Sequence, residues 1–136
     1  LGGEEYTYDI TSLYIYGKTL NDLTPLKDCK NLKEIVFVYC YIEDLSPLKD
    51  CSSLEILDLK YSSGNMGLGC LAGLSRLREL GFHECTDIDD LSPIMNLELE
   101  ILHPCGSGVS IEQCIEYQER HPNCEVWFDY EYPIRY

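Results

Sequence analysis

The feature that most constrains this chain is a repeat. Apolar residues spaced as positions 1, 4 and 6 occur at Ile10, Leu13 and Ile15, at Leu32, Ile35 and Phe37, at Leu54, Leu57 and Leu59, and at Leu77, Leu80 and Phe82. A fifth, degraded copy begins at Leu99 and Leu102. Starts at 10, 32, 54, 77 and 99 lie 22, 22, 23 and 22 residues apart. A fixed period of that length marks stacked units, none of which buries its apolar face alone. The expected fold is a short solenoid, which displays a surface and does not by itself imply chemistry.

The second halves of the units match residue by residue. Leu20-Asn21-Asp22-Leu23-Thr24-Pro25-Leu26-Lys27-Asp28-Cys29 returns as Ile42-Glu43-Asp44-Leu45-Ser46-Pro47-Leu48-Lys49-Asp50-Cys51, and the fourth unit reads Ile88-Asp89-Asp90-Leu91-Ser92-Pro93-Ile94. With its Leu-x-x-Leu-x-Leu half and its Ile-x-Asp-Leu-x-Pro-Leu return, the chain resembles the bacterial leucine-rich repeats of internalin type, over roughly residues 6–103. The resemblance implies an α/β solenoid: a short, right-handed leucine-rich repeat with a parallel concave sheet, 3₁₀ or helical convex turns, and a C-terminal helix-strand cap. It is specific to the fold and names no ligand.

Each part of the unit has a physical role. Positions 1, 4 and 6 face inward and the intervening ones outward, as the period of two in a strand requires. Proline fixes φ near −65° where the return begins, and Ser46 and Ser92 are expected to cap it. Leu26, Cys29, Leu48, Cys51, Leu71 and Leu74 are expected to fill the convex side of the same core.

The departures from the repeat are informative. The third unit is one residue longer, and its return is replaced by Tyr61-Ser62-Ser63-Gly64-Asn65-Met66-Gly67-Leu68-Gly69, whose glycines suggest a looser loop. Thr86 is extra in the fourth unit and a residue is missing near Glu98, which leaves the fifth strand ambiguous by one position. Pro104 falls where an inward apolar residue is expected, so the repeats are read as ending near Cys105, with a block at 10–105. Residues 106–136 are read as a cap. A helix is expected from Val109 to Arg120, with Ser110 as N-cap, an inner face of Ile111, Cys114, Ile115 and Gln118, and His121-Pro122 as its stop. A strand is expected at Glu125 to Tyr130, and residues 1–9 form an N-terminal edge with a strand or ragged start at Glu4 to Asp9.

Composition fits one domain: 136 residues, 45% of them hydrophobic, suffice for a continuous core. No apolar run approaches the ~18 residues needed to cross a bilayer, so no membrane insertion is expected. The chain opens on Leu1-Gly2-Gly3 without Met, as a trimmed chain would, so the lack of a leader says nothing about export. The internalin resemblance implies an extracellular or cell-surface setting, whereas buried free thiols would also suit the cytoplasm. Twenty-four acidic residues against ten basic ones give a net charge of −14, which argues against nucleic-acid binding, since that requires cationic patches.

Eight cysteines invite a disulfide reading, but the repeat register favours thiols. Cys29 and Cys51 occupy the convex core position of Leu74, and Cys40 and Cys85 fall at position nine, facing inward to serve backbone groups at the turn. Cys70 precedes a core leucine, and these five are all expected to be buried. His103, Cys105, Cys114, His121 and Cys124 have the donor types of a zinc site, but lack two close ligand pairs; free thiols are favoured over zinc or a disulfide there. No phosphate loop, dinucleotide loop or nucleophile elbow is present. Asp87, Asp89 and Asp90 read mostly as the return motif on a solvated turn. No enzyme, metal or cofactor is expected.

Function is therefore sought at the outward positions of the parallel strands. Stacking aligns Tyr14, Val36, Asp58, Gly81 and His103 in one row, Tyr16, Val38, Lys60 and His83 in a second, and Gly17, Tyr39, Tyr61 and Glu84 in a third. The candidate partner-binding residues are Tyr14, Tyr16, Val36, Val38, Tyr39, Asp58, Lys60, Tyr61, His83 and Glu84, with aromatic and apolar side chains in the first two units and charged ones in the third and fourth. The favoured reading is a monomeric, non-enzymatic scaffold that binds a protein or peptide. The alternative is a structural or spacer domain of a larger bacterial protein.

Overall fold

The computed structural model describes residues 9–129. The expected N-terminal edge before Asp9, and Tyr130 of the expected last strand, lie outside the described residues. Each unit contributes one strand to a six-stranded parallel sheet: β1 (Ser12–Tyr16), β3 (Glu34–Val38), β5 (Ile56–Asp58), β7 (Glu79–Gly81) and β8 (Ile101–His103), closed by β9 (Glu125–Val126). The shorter β2 (Thr19–Leu20), β4 (Tyr41–Ile42) and β6 (Ser63–Gly64) form a second parallel sheet. The returns are 3₁₀ turns at Thr24–Asp28, Ser46–Asp50, Leu68–Leu71 and Ser92–Ile94.

Register follows the repeat. Leu13 pairs with Ile35, Ile35 with Leu57, Leu57 with Leu80 and Leu80 with Leu102. The ambiguity at the fifth strand is thereby resolved. Leu32, Ile35, Phe37, Leu54, Leu57, Leu59, Leu80, Phe82 and Leu102 are fully buried, as are the return residues Leu48, Leu71 and Ile94. One continuous core results, because each inward side chain packs on the units before and after it.

The returns are capped differently from expectation. Ser46 and Ser92 do not accept the capping bonds; the preceding aspartates do. Asp44 accepts from Ser46 N and Oγ at 2.9 Å each, and Asp90 accepts from Ser92 N and Oγ, also at 2.9 Å. In the first unit Asp22 accepts from Thr24 N at 2.9 Å and Thr24 Oγ1 at 2.6 Å. A carboxylate two residues ahead of the turn is the stronger acceptor, which explains why the motif is Asp-Leu-x-Pro. These bonds hold the three carboxyls below the usual aspartate range.

The third return is not loose. Gly64 has φ 117°, and a Cβ there would overlap the carbonyl of Ile42, so the glycine permits close approach of two backbones. Met66 and Leu68 are buried in the core.

Position nine forms a polar ladder inside the turns. Cys40 Sγ donates to Ile15 O and Val38 O, both at 3.6 Å, and Cys85 Sγ donates to Leu59 O and His83 O. Ser62, which the sequence reading did not single out, is 2% exposed and fills this position in the third unit. Its Oγ accepts from Cys40 N at 3.1 Å and donates to Lys60 O at 3.1 Å. Of the five repeat cysteines, Cys70 alone is only half-buried, contrary to expectation. Burial pushes the Cys51, Cys70 and Cys85 thiols up to about 11.

At the C-terminal end, α1 (Ile111–Arg120) has Ser110 as N-cap, whose Oγ accepts from Gln113 N at 3.3 Å. Its inner face differs from expectation: Ile111 is 42% exposed, whereas Tyr117 is fully buried with Cys114 and Gln118. The Tyr117 hydroxyl donates to Leu97 O and accepts from Leu99 N, so a polar tip serves the open backbone of the fifth unit. The last strand is shorter than expected, covering Glu125–Val126 only, although Trp127 N still donates to Leu102 O at 2.8 Å. Pro104 and Cys105 are buried, and Glu84 N donates to Cys105 O at 2.9 Å.

Candidate interaction surface

The outward rows stack as the strand alternation requires. Tyr14 pairs with Val36, Val36 with Asp58, Asp58 with Gly81 and Gly81 with His103; Tyr16 pairs with Val38. Backbone bonds carry the third row, from Gly17 N to Val38 O, Tyr39 N to Lys60 O and Tyr61 N to His83 O. The structure therefore brings all ten candidate residues onto one face of the six-stranded sheet.

The N-terminal part of this face is aromatic. Tyr14, Tyr16, Tyr39 and Tyr61 are 64%, 60%, 53% and 43% exposed. The Tyr16 and Tyr39 rings meet edge to face at 5.7 Å, and Tyr39 and Tyr61 stack at 4.9 Å with 15° between planes. Val36 and Val38 are half-buried between them. Because parallel strands repeat at about 4.8 Å, side chains at equal positions fall at ring-stacking distance without further design.

The C-terminal part carries a second ladder. His83 and His103 stack at 5.0 Å, and His103 and Trp127 at 5.7 Å. Trp127 was missed as a surface residue because only its position beyond the closing strand, not any repeat, brings it here. Burial lowers the His83 imidazole below its ordinary value, with Asp58 opposing; burial and then His83 lower His103. Both shifts favour the neutral imidazole. Asp58 leans into the space left by Gly81, where a Cβ would meet Asp58 Oδ1 at 2.9 Å, and its Oδ2 pairs with Lys60 at 3.1 Å. Asp58 Oδ1 is buried without a hydrogen bond.

Beside these rows runs an ion-pair network. Glu55 meets Lys33 and Arg78 at 3.6 Å each, and Arg78 also meets Glu79 at 2.9 Å and Glu100 at 3.4 Å. It ties four units together and uses both basic residues internally, although exposed pairs of this kind stabilise little.

The candidate zinc donors are dispersed in role. His103 lies in the sheet-face ladder, Cys114 is on the inner face of α1, and His121 Nε2 bonds Met95 O at 2.7 Å. Among the described residues no cluster of three or more His, Cys, Asp or Glu is placed to hold a metal ion. A shallow groove of about 260 Å³ lies on the turn side, lined by Met66, Leu68, Asp87, Asp90 and Pro93. Its carboxylates already serve the backbone: Asp87 Oδ2 accepts from Gly64 N at 2.9 Å, and Asp90 caps Ser92. No described helix is long and apolar enough to cross a membrane.

No protein-family model matches the chain, and no curated protein matches it by sequence. Solved structures do. An internalin of Listeria monocytogenes aligns with a TM-score of 0.60 and 20% identity over 86% of this chain and 40% of its own. Internalin C2 of the same organism gives 0.60 and 22% over 87% of this chain and 66% of its own, and a leucine-rich repeat protein of Leptospira interrogans gives 0.59 and 18% over 79% and 28%. The chain spans less than two thirds of each of these proteins. Together with the parallel sheet, the 3₁₀ returns and the closing helix and strand, these likenesses show that the chain folds as an internalin-like leucine-rich repeat domain.

Proposed function

We propose that the chain is a non-enzymatic scaffold whose concave sheet binds a protein or peptide, with the repeat block at 10–105 carrying the site and the described cap residues 106–129 closing the core. The observation that carries this reading is the ladder of exposed tyrosines, Tyr16, Tyr39 and Tyr61, in ring contact on a rigid sheet and flanked by Tyr14. Packing does not use these rings, yet they form a contiguous aromatic patch of the kind that marks an interface. Their orientations are set in advance by the sheet and by each other, so little entropy is lost on binding. Asp58, Lys60, His83 and Glu84 form the polar flank that gives orientation.

Selection of a random-peptide display library on the purified chain tests the reading. The enriched peptides should bind Tyr14→Ala and Tyr39→Ala more weakly by about 1–3 kcal/mol each, with the variants still folded. Peptides indifferent to both substitutions, or an empty selection, would favour a spacer domain without a ligand of its own.

A further inference from the structure

The Tyr39 and Tyr61 rings lie nearly parallel, with centroids 4.9 Å apart and 15° between planes, whereas Tyr16 meets Tyr39 edge to face at 5.7 Å and 75°. The stacked pair is held by its backbone. Tyr39 N donates to Lys60 O at 3.0 Å and Tyr61 N to His83 O at 2.8 Å, and both residues share a left-handed φ, 53° and 52°. Equal dihedrals on adjacent parallel units launch the two side chains in the same direction, so the rings stay face to face. Neither ring is shielded: Tyr39 is 53% exposed and Tyr61 43%.

Two phenols held this way are placed for oxidative coupling. A one-electron oxidant takes an electron from each phenol, each hydroxyl proton leaves to water, and unpaired spin appears on the carbons ortho to the oxygens. Where two such radicals lie face to face, their spins pair across the gap and a carbon–carbon bond forms between one ortho carbon of each ring. The hydrogens on those two carbons then shift to the phenolic oxygens, which restores both aromatic rings. The chain loses two hydrogen atoms in all, and the two electrons and two protons reduce one hydrogen peroxide to two waters. The stacked pair satisfies this geometry and the edge-to-face pair does not. Sulfur competes poorly for the oxidant. Every cysteine but Cys70 is buried, and burial pushes the Cys51, Cys70 and Cys85 thiols up to about 11 and those of Cys114 and Cys124 up to about 12, away from the reactive thiolate. Met66 and Met95 are buried as well. A net charge of −14 holds separate copies apart, which favours coupling within one chain.

We propose that Tyr39 and Tyr61 form a modification site, at which hydrogen peroxide acting through a haem peroxidase joins the two rings into a dityrosine that clamps the second unit to the third. The inference needs no partner and stands apart from the recognition reading. Treating the dilute chain with hydrogen peroxide and a haem peroxidase tests it. The monomer should gain dityrosine fluorescence and become lighter by two hydrogen atoms, and its peptide map should join the segments that carry Tyr39 and Tyr61. Its urea midpoint should rise, because a link between units restricts the unfolded chain. Tyr39→Phe and Tyr61→Phe keep a ring but remove the oxidisable hydroxyl, so each should lower the yield of linked monomer at least about tenfold, while Tyr14→Phe keeps it. Should a phenylalanine variant unfold, the wild-type peptide map still decides. A link at Tyr16–Tyr39, dityrosine confined to covalent dimers, or no product overturns the inference. A midpoint that fails to rise in the linked monomer overturns the clamp.

Discussion

The turn side and the sheet side of this solenoid use their side chains in opposite ways. On the turn side, polar groups are consumed by the backbone: Asp22, Asp44 and Asp90 hold the 3₁₀ turns, Asp87 holds Gly64 N, and Gln113 bridges Leu91 N and Asp89 O. On the sheet side, equivalent positions change from Tyr14 to Val36 to Asp58 to Gly81 to His103, and the strands pair in the same register throughout. The lesson is that a repeat keeps those residues whose polar atoms the backbone needs and varies those the backbone does not. On the proposed function, variation within the repeat marks the recognition surface.

Both sides share one core, and the largest effect is expected there. Leu57 is fully buried at the centre of the third strand, and Leu57→Ala should cost ~2–5 kcal/mol through lost burial and a residual cavity. In so short a solenoid that approaches the whole stability. An unchanged denaturation midpoint would mean that the register is wrong.

The next effect sharpens the contrast within the turn side itself. Gly64→Ala forces a Cβ onto the Ile42 carbonyl at φ 117° and should cost on the order of 2 kcal/mol or more, whereas Gly67→Ala meets open space and should be near neutral. Equal midpoints for the two variants would show that the third return is loose after all.

A smaller loss is expected from Asp44→Ala or Asp90→Ala, which remove an acceptor from two donors of one turn, and less again from Ser46→Ala, which leaves the Asp44 bond to Ser46 N in place. Because the folded carboxyls titrate below 3.8, their stabilising share is present above that pH and is lost as pH falls through the lower folded values. A Ser46→Ala midpoint lower than that of Asp44→Ala would reverse the capping assignment.

On the sheet side the pH response has a different window. His83 and His103 have folded values below 6.5, so the unfolded chain takes up protons first, and stability should decline as pH falls from about 6.5 toward those lower values. Urea midpoints at pH 7.5 and 5.5 read this out, and His83→Gln with His103→Gln should flatten the slope. A slope unchanged in the double variant would place its origin elsewhere.

The solenoid was legible because its determinants are local and repeated: inward apolar triplets, Asp-Leu-x-Pro returns, and Cys40 and Cys85 at position nine. The caps were assigned to Ser46 and Ser92 because serine is a good capping residue. The stronger acceptor two residues earlier became evident only with the turn geometry. Ile111 satisfied helical spacing, yet Tyr117 took the inner face because its hydroxyl could serve Leu97 and Leu99 at the open end. Strand alternation placed seven of the ten candidate surface residues on one face, but it carries no information on backbone handedness, so it did not account for Tyr39, Tyr61 and Glu84, which follow an outward residue directly and have left-handed φ of 53°, 52° and 56°. Trp127 joins the histidine ladder by tertiary contact, outside the reach of any repeat.

The central claim, that the turn side builds and the sheet side recognises, is tested most directly by measuring stability and peptide binding in parallel on two double variants. Tyr14→Ala with Tyr39→Ala should keep the wild-type denaturation midpoint to within about 1 kcal/mol and lose binding of the selected peptides, while Lys27→Ala with Lys49→Ala should keep both. Binding retained in the tyrosine double variant and lost in the lysine one would contradict the account.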